Sequence, residues 1–510
     1  MKNKIIKIWL FLIGIIILDI GLLFINKSTT LLFLYLQLVF IIYNFTFKNN
    51  YNKKYKLIFI IFFLFLTFMF LFFEIYEIIA FILIFLIVYF LNKLRMKNFI
   101  LFLFLFSFII RLIFILVVDT PPFSDFSKLF NASKLFSIND YTFNKDSYFV
   151  DWAYQIGFVA YQGILLKFIN DVLFLKIVNC LITSSLCVLI YLISKKLCNE
   201  KSARIVSVFY SCFIFSIAYS SVLTNQHLSS LLTYLGIYIL IQNKLKIKNY
   251  RLKDYQKNII SGILISLGNI IRPEGIITIF SLLLYFVLTM KKKNIKKLLL
   301  TIITIISAYY LTFMLVSFVL VKLEAAPSGL KNNAPQWKFV LGFNFDTNGV
   351  YCESDAWTIY DKEGAYSLVK NRIKENYEKI PTLFYNKSKI FWVEPTLYWP
   401  FSHILNRNEG ISNVDNKIDA VNKISQVDSA YFFLIFVFAI IGMFNIINNY
   451  KGMNKKMFII LNQIMVTFLV YLLIEVQSRY SYFIQISIFI LAAYGIDYFE
   501  VIKKKIKFWR

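Results

Sequence analysis

Apolar runs long enough to cross a lipid bilayer recur along this chain, from residue 5 to residue 499. A helix needs about 20 such residues to span the hydrocarbon core. Hydrophobic residues make up 59% of the 510 residues, and the mean hydropathy is +0.66. No soluble core of this size would bury so much apolar surface. The sequence therefore predicts an all-α membrane protein with many spans.

The net charge of +27 is distributed in a way that indicates topology. Cations cluster in short loops between apolar runs, as at residues 53–54, 195–196, 291–293 and 503–505. Short loops rich in lysine and arginine stay on the cytoplasmic side of a membrane. A nucleic-acid site would need a folded basic face instead. We therefore expect membrane lipids, and no nucleic acid, among the partners.

This rule predicts about fourteen transmembrane helices with both termini in the cytoplasm. The predicted spans are residues 5–26, 30–47, 57–73, 75–92, 98–118, 171–193, 204–223, 227–242, 259–271, 274–290, 298–321, 430–448, 457–474 and 480–499. The first span is too long for a removed signal peptide. The abundance of Ile, Phe, Lys and Asn is typical of an AT-rich bacterial genome, so a bacterial plasma membrane is expected.

The spans divide the chain into four predicted parts. They are additional N-terminal spans at 1–97, a transmembrane core at 98–321, an extracytoplasmic region at 322–428, and C-terminal helices with a basic tail at 429–510.

Two predicted extracytoplasmic loops, residues 119–170 and 322–428, are too long to be simple turns. Each ends in aromatic residues that suit the lipid headgroup layer. These are Trp152, Tyr154, Phe158 and Tyr161, predicted on an interfacial helix, and Trp392, Tyr398 and Trp399. Long outer loops that return to the membrane indicate a site at its outer surface.

Cysteine and histidine exclude several kinds of chemistry. Only Cys352 of the five cysteines is predicted to lie outside, so no intrachain disulfide framework is expected there. His227 and His403 are far apart and lack metal-ligand spacing, so no zinc site is expected. The sequence contains neither a glycine-rich phosphate loop nor a nucleophile elbow.

Arg272, in the motif IIRPEGII, is a cation on the side where the topology predicts few. The following proline favours an extended backbone at Arg272, and Glu274 suits the positive end of the next helix. The preceding run, 259–271, is short and contains Gly262 and Gly268, which would leave room for a cavity. An ordinary helix start after an arginine is the alternative.

Arg479 and Tyr480, in EVQSRYSYF, form a second extracytoplasmic candidate. An arginine beside a tyrosine also suits an interfacial anchor, although such cations are enriched on the inner side. A guanidinium can hold two phosphate oxygens at once, so a lipid phosphate is a candidate ligand. Arg111 lies within a span, and we expect it to form a structural pair with Glu475.

Asp125 follows a break at Pro121-Pro122 in RLIFILVVDTPPFSDF. The helix before the break leaves the membrane on the outer side. The carboxylate suits a helix cap for the next segment, and it equally suits a base for chemistry on lipid-linked substrates. Spacing alone leaves both alternatives open.

Together these motifs resemble polytopic glycosyltransferases of the C superfamily, near the protein O-mannosyltransferase and aminoarabinose-transferase branch. The resemblance is carried by RLIFILVVDTPPFSDFSKLFNASKLF, WAYQIGFVAYQGILLKF, GNIIRPEGIITI, LGFNFDTNGVYCESDAW and EVQSRYSYFIQISIFILAAYGI. It implies a multi-span helical bundle and a polyprenyl-phosphate-sugar donor bound from the outer leaflet. It also implies transfer with inversion of the anomeric carbon.

The resemblance also implies roles for single residues. Asp125 matches the acid of the first outer loop, which takes a proton from the acceptor hydroxyl. Arg272 and Arg479 match basic residues near the lipid phosphate, where they would stabilise charge on the leaving group. Glu274 and Tyr480 stand beside them in the predicted donor site.

The chain departs from the family at its first-loop acid. Many relatives carry two adjacent acids there, whereas Ser124 and Phe126 flank Asp125. We therefore expect no metal site and no certain cofactor, with Asp151 as the candidate second acid.

The leading hypothesis is a membrane glycosyltransferase that moves a sugar from an undecaprenyl-phosphate carrier to an acceptor of the cell envelope. One alternative is a lipid-linked saccharide flippase, which would favour an inverted repeat, short loops and discontinuous helices. The other is an O-antigen-type polymerase or ligase, which would use a long outer loop with arginines but need no early acid.

Overall fold

The computed structural model describes residue 86 and residues 98–242, 246–247, 250–251, 253–289, 295–392, 396–405, 412–448 and 454–508. Apart from Leu86, the first four predicted spans and the N-terminal part at 1–97 lie outside these residues.

The described residues fold almost entirely into α-helices. Their bounds are α1 Phe99–Val117, α2 Asp125–Ser137, α3 Ser147–Asp151, α4 Ile156–Leu166, α5 Val172–Leu197, α6 Glu200–Ser211, α7 Ile214–Ala218, α8 Gln226–Ile241, α9 Asp254–Ile271, α10 Gly275–Thr289, α11 Ile295–Lys322, α12 Pro335–Gly342, α13 Lys362–Glu375, α14 Ile380–Trp392, α15 Ser402–Leu405, α16 Ser412–Asn448, α17 Met457–Leu473 and α18 Tyr482–Phe508.

Shorter elements connect these helices. The 3-10 turns are Thr142–Lys145, Ala153–Gln155, Tyr219–Ser221, Glu353–Ile359, Tyr377–Lys379, Thr396–Tyr398 and Ser478–Ser481. Strands β1 Lys246–Ile247 and β2 Tyr250–Arg251 form an antiparallel hairpin in which Lys246 is opposite Arg251.

Five helices in the described part of the chain are long and apolar enough to cross a membrane. They are α1, α5, α11, the Lys417–Ile446 part of α16, and Ser478–Tyr498 at the start of α18. A sixth candidate is the bent pair of α6 and Ile214–Ser221. The all-helical membrane class is therefore confirmed. The total of about fourteen spans and the position of the termini stay predictions.

Among the described residues, α16 and α18 form the most extensive helix–helix contact. Helix α9 packs against both α8 and α11. Glycines permit this close packing. A Cβ on Gly262 would lie 2.6 Å from the Ile305 carbonyl oxygen, and one on Gly268 would lie 2.4 Å from Thr233 Oγ1. These glycines therefore serve helix packing rather than leaving a cavity.

Helix α9 is longer than the sequence pattern predicts. It has 18 residues because it begins in the polar stretch before the apolar run. The Gln256 side chain accepts a hydrogen bond from the Lys253 backbone N–H at 2.9 Å, which caps this start. The expectation of a short helix at 259–271 was wrong for that reason.

The helix break between α6 and α7 bends the chain by 57° and explains the buried arginine. Arg111 donates to the Ser211 carbonyl at 3.3 Å, at the end of α6, and to Ser216 Oγ at 2.7 Å, on α7. The Asp428 carboxylate accepts from the Phe215 N–H at 2.8 Å. The predicted Arg111–Glu475 pair was wrong: Arg111 bonds to Ser107 on its own helix, to the Ser211 carbonyl freed at the break and to the Ser216 hydroxyl.

The first long loop folds back over the end of α9. Helix α4 packs against α2, and a Cβ on Gly157 would lie 2.2 Å from the Ile270 carbonyl oxygen. Phe158 on α4 is only 2% exposed. The predicted helix is present, but Phe158 contributes to the core instead of to a lipid interface.

Candidate active site

A cavity with a volume of 1220 Å³ opens where the two long loops meet the ends of α9 and α17. Its walls come from stretches within 123–155, 269–277, 330–360 and 470–480, together with Phe313, Tyr398 and Trp399. Every residue predicted for the site lines it, namely Asp125, Asp151, Arg272, Glu274, Arg479 and Tyr480. Segments distant in sequence are thus brought to one place.

Asp125 begins α2, and its carboxylate faces the cavity. The N-cap position is Ser124, whose φ of 52° and ψ of −131° are strained for a residue with a side chain. Asp125 is therefore not the cap but an acid of the first turn, where the helix dipole favours its charge. Its side chain is 45% exposed, and Oδ2 lies 3.6 Å from Arg479 Nη2.

The Arg479 guanidinium is enclosed by aromatic rings. Its centre lies 4.4 Å from the Trp399 ring and 5.2 Å from the Phe126 ring. Nε donates to Gln477 Oε1 at 2.6 Å. These contacts fix the orientation of a cation whose side chain is 9% exposed. Trp399, predicted for the headgroup layer, packs on this site residue instead.

Arg272 has the extended backbone that the following proline favours, with φ −152° and ψ 134°. Its Nε donates to Glu274 Oε1 at 2.6 Å, and Nη1 donates to Asn225 Oδ1 at 3.0 Å. The Asn269 side chain accepts from the Ile276 N–H at 3.0 Å, at the start of α10. Glu274 directly precedes α10, as expected, and its carboxylate is also the counter-ion of Arg272.

Tyr480 connects the two arginines. Its ring centre lies 5.3 Å from the Arg272 guanidinium and 5.6 Å from that of Arg479. Its hydroxyl donates to Glu475 Oε2 at 3.2 Å. One ring thus contacts both cations, which keeps them close on one side of the cavity.

Lys338 is another cation of the cavity, and the sequence did not single it out. It forms an ion pair with Glu475, whose Oε1 also accepts from Gln477 Nε2 at 2.8 Å. Burial disfavours the charge of Glu475, but Lys338, Gln477 and Arg479 together outweigh this and keep the pKa of Glu475 below its usual value. A single lysine between apolar residues in a predicted outer loop is the sequence feature that could have marked Lys338 as a site residue.

Lys387 on α14 fixes the backbone under this ion pair. Its buried ammonium donates to the carbonyl oxygens of Gly342 at 2.9 Å, Leu472 at 2.7 Å and Ile474 at 2.8 Å. These carbonyls end α12 and α17, where a cation is favourable. Gly342 allows the approach, because a Cβ there would lie 2.4 Å from the Leu473 carbonyl oxygen.

Asp151 also lines the cavity and is 8% exposed. Its Oδ2 accepts from the Tyr360 hydroxyl at 3.4 Å. Burial raises the pKa of Asp151, and the Tyr360 hydrogen bond partly offsets the rise. Its role as a second acid stays a prediction.

In the part of the chain that the structure describes, His, Cys, Asp and Glu side chains form no group of three suited to a metal. His227 is buried, with its ring nitrogens 2.8 Å from the Tyr482 hydroxyl and 2.9 Å from the Tyr219 carbonyl oxygen. All five cysteines are described, and all are free thiols. Metal dependence stays open to test.

The family described as dolichyl-phosphate-mannose-protein mannosyltransferase matches residues 161–320. This match contains Arg272 and Glu274, and it confirms the predicted resemblance to glycosyltransferases of the C superfamily. Among curated proteins, none matches the chain.

Two solved structures of the oligosaccharyltransferase from Archaeoglobus fulgidus are similar to the chain. The apo form has a TM-score of 0.46 at 11% identity over 81% of this chain and 52% of the solved one. The complex of AglB with an inhibitory peptide and a dolichol-phosphate has a TM-score of 0.45 at 12% identity, over 81% and 51%. The chain spans about half the length of the structures it matches.

Proposed function

We propose that this chain is a membrane glycosyltransferase that moves a sugar from a polyprenyl-phosphate carrier to a hydroxyl of an envelope acceptor. The family match over residues 161–320 supports the reaction class and the type of donor. The extracytoplasmic side, the inverting outcome and the acceptor are parts of the proposal.

The observation that supports it best is the approach of Asp125 to Arg479, with 3.6 Å between carboxylate and guanidinium. A transferase of this kind needs a base for the acceptor and a cation for the leaving phosphate within one substrate's length. Residues 125 and 479 come from opposite ends of the described chain, and the fold brings both groups to the wall of one cavity.

The proposed division of roles follows from the chemistry of each group. Asp125 takes the proton of the acceptor hydroxyl as that oxygen attacks the anomeric carbon. Arg272 and Arg479 stabilise the charge that grows on the departing phosphate. Lys338 adds another cation to the same wall, while Glu274 and Glu475 hold cations in position.

The test is the Asp125→Asn variant, purified in detergent and supplied with a panel of polyprenyl-phosphate sugars and envelope acceptors. The amide cannot accept the proton, so we expect transfer to fall by at least about 100-fold. The matched control is Asp140→Asn, because Asp140 belongs to the same loop but does not line the cavity. Its Oδ1 accepts from the Thr142 N–H at 2.9 Å, and the asparagine oxygen preserves that bond.

Full transfer by correctly inserted Asp125→Asn would remove Asp125 as the base. Movement of an intact lipid-linked sugar across vesicles by the wild-type chain, without cleavage, would show a flippase instead. Formation of long polymers from lipid-linked repeats would indicate the polymerase alternative.

A further inference from the structure

The segment from Tyr351 to Tyr360 forms a second, chemically different wall of the cavity. Its sequence, YCESDAWTIY, contains no lysine or arginine. It presents three large aromatic side chains with high exposure: Tyr351 at 52%, Trp357 at 50% and Tyr360 at 74%. All three line the cavity. Exposed aromatic surface concentrated in a cavity is typical of a binding site.

Polar side chains that do not line the cavity fix the backbone of this aromatic wall. Asp355 forms a two-pronged ion pair with Arg372, with distances of 2.8 Å and 3.0 Å. The Gln336 amide donates to the backbone oxygens of Thr358 at 3.2 Å and Ile359 at 2.9 Å. The exposed rings therefore stand on a fixed backbone, which lowers the entropic cost of binding a ligand.

Two carboxylates stand beside the exposed rings. The Tyr360 hydroxyl donates to Asp151 at 3.4 Å, and the Tyr351 hydroxyl donates to Glu353. Each carboxylate keeps further lone pairs that can accept hydrogen bonds from a ligand. A flat ring beside a hydrogen-bond acceptor matches a sugar, whose C–H face packs on the ring while its hydroxyls donate at the edge.

The aromatic wall and Asp125 line the same cavity. Burial, the Glu353 hydrogen bond and the negative charges of Glu353 and Asp125 together raise the pKa of Tyr351 to about 12. Asp125 thus shares this cavity with the aromatic wall while it contacts Arg479 on the cationic side. The volume of 1220 Å³ exceeds the range of about 300–1,000 Å³ for a single small ligand. A donor headgroup and a second ring both fit.

We propose that this aromatic wall is the acceptor site and that it takes a neutral sugar ring, so that the enzyme extends a glycan or glycolipid. This inference rests on the proposed function. The two carboxylates disfavour an anionic acceptor, and the 3-10 backbone of the wall offers no strand edge for a peptide.

The proposed reaction involves only the donor, the bound sugar and Asp125. A hydroxyl oxygen of the bound sugar forms a bond to the anomeric carbon of the donor, and the bond from that carbon to the phosphate oxygen breaks. The hydroxyl proton goes to Asp125, and the electron pair leaves with the polyprenyl phosphate.

The test uses saturation-transfer NMR on the purified full-length chain in detergent. The probes are the methyl glycosides of glucose, galactose, mannose and N-acetylglucosamine, together with a serine-rich octapeptide. We expect at least one glycoside to bind and Tyr360→Ala to weaken that binding by about fivefold. Trp357→Ala should act in the same direction, and Trp357→Phe should restore much of the binding.

The matched control is Tyr377→Ala. Tyr377 is 65% exposed in the same loop, donates to Glu378 at 2.8 Å and does not line the cavity. Unchanged glycoside binding in this control, with loss in Tyr360→Ala, supports the proposal.

The inference is overturned if no glycoside binds the wild type, or if the octapeptide binds and Tyr360→Ala has no effect on either probe. Donor cleavage separates this result from the proposed function. If polyprenyl-phosphate sugar is cleaved while glycosides fail to bind, only the acceptor assignment falls. If glycosides bind as expected but no donor is ever cleaved, the proposed function falls instead.

Discussion

At the scale of single residues, the two arginines of the cavity are held by different means. Arg272 is fixed by polar groups on two sides, Glu274 and Asn225. Arg479 is fixed mainly by rings and by Gln477. Arg272 thus needs the geometry of a guanidinium, which can donate in two directions at once.

We expect the Arg272→Lys substitution to impair the use of the donor more than the use of the acceptor. A lysine ammonium cannot keep both the Glu274 and Asn225 bonds while it also contacts a phosphate. We expect kcat/KM for the polyprenyl-phosphate sugar to fall by about tenfold, with an unchanged acceptor KM. Steady-state kinetics with each substrate varied separately measures this.

Arg204→Lys is the control for this prediction, since Arg204 pairs with Glu200 and does not line the cavity. An equal loss for donor and acceptor in Arg272→Lys would contradict a role in phosphate binding.

Sequence alone could single out Asp125, Arg272 and Arg479 as candidates, because a proline break and cations where few are expected are local signals, and all three line one cavity. Their roles stay predictions. Lys338 and Glu475 could not be identified as a pair, since their contact joins two loops that only the fold brings together. The same limit led to the mistaken Arg111–Glu475 pair. The true partners of Arg111 depend on a helix break that apolar patterning does not reveal.

At the scale of elements, the ends of helices α12 and α17 form the base of the cationic side. Lys387 joins them through three carbonyl oxygens, while the Glu475 N–H donates to the Lys338 carbonyl at 2.8 Å. The position of the Lys338–Glu475 pair therefore depends on a side chain outside the cavity.

Replacing Lys387 by methionine is expected to leave these carbonyls without a donor. Each of the three unsatisfied buried carbonyls costs about 1–3 kcal/mol, so the apparent melting temperature in detergent should fall by about 3 °C or more. Donor KM should rise as the ion pair shifts. Lys389→Met is the control, because Lys389 lies on the same helix and is exposed. If both variants melt alike, Lys387 does not position the pair.

Helix positions were predictable from apolar runs, but helix ends were less so. The start of α9 depends on polar residues that an apolar pattern omits. The break between α6 and α7 depends on Asp428, which is more than 200 residues away along the chain. A side chain from a distant helix thus contributes to a bend that apolar patterning does not reveal.

At the scale of the whole molecule, the ion pair between Asp125 and Arg479 joins the first long loop to the last transmembrane segment. A phosphate that approaches Arg479 meets the negative charge of Asp125. Removing this charge is expected to tighten binding of a polyprenyl phosphate by about threefold to fivefold in Asp125→Asn.

Ligand-induced thermal stabilisation measures this prediction, because a ligand that binds only the folded state raises its melting temperature. Titration with undecaprenyl phosphate should stabilise Asp125→Asn at lower concentrations than wild type, and Asp140→Asn should match wild type. Weaker binding by Asp125→Asn would mean that Asp125 holds Arg479 in position rather than competing for it.

The contact between Asp125 and Arg479 has a kinetic consequence. With the proposed roles, the Asp125 carboxylate competes with the donor phosphate for Arg479 and weakens the resting complex with the donor. Weaker ground-state binding need not weaken the transition state. Once Asp125 has taken the acceptor proton it is neutral, so its repulsion of the spent carrier returns only when that proton leaves, and carrier release is then coupled to loss of the proton.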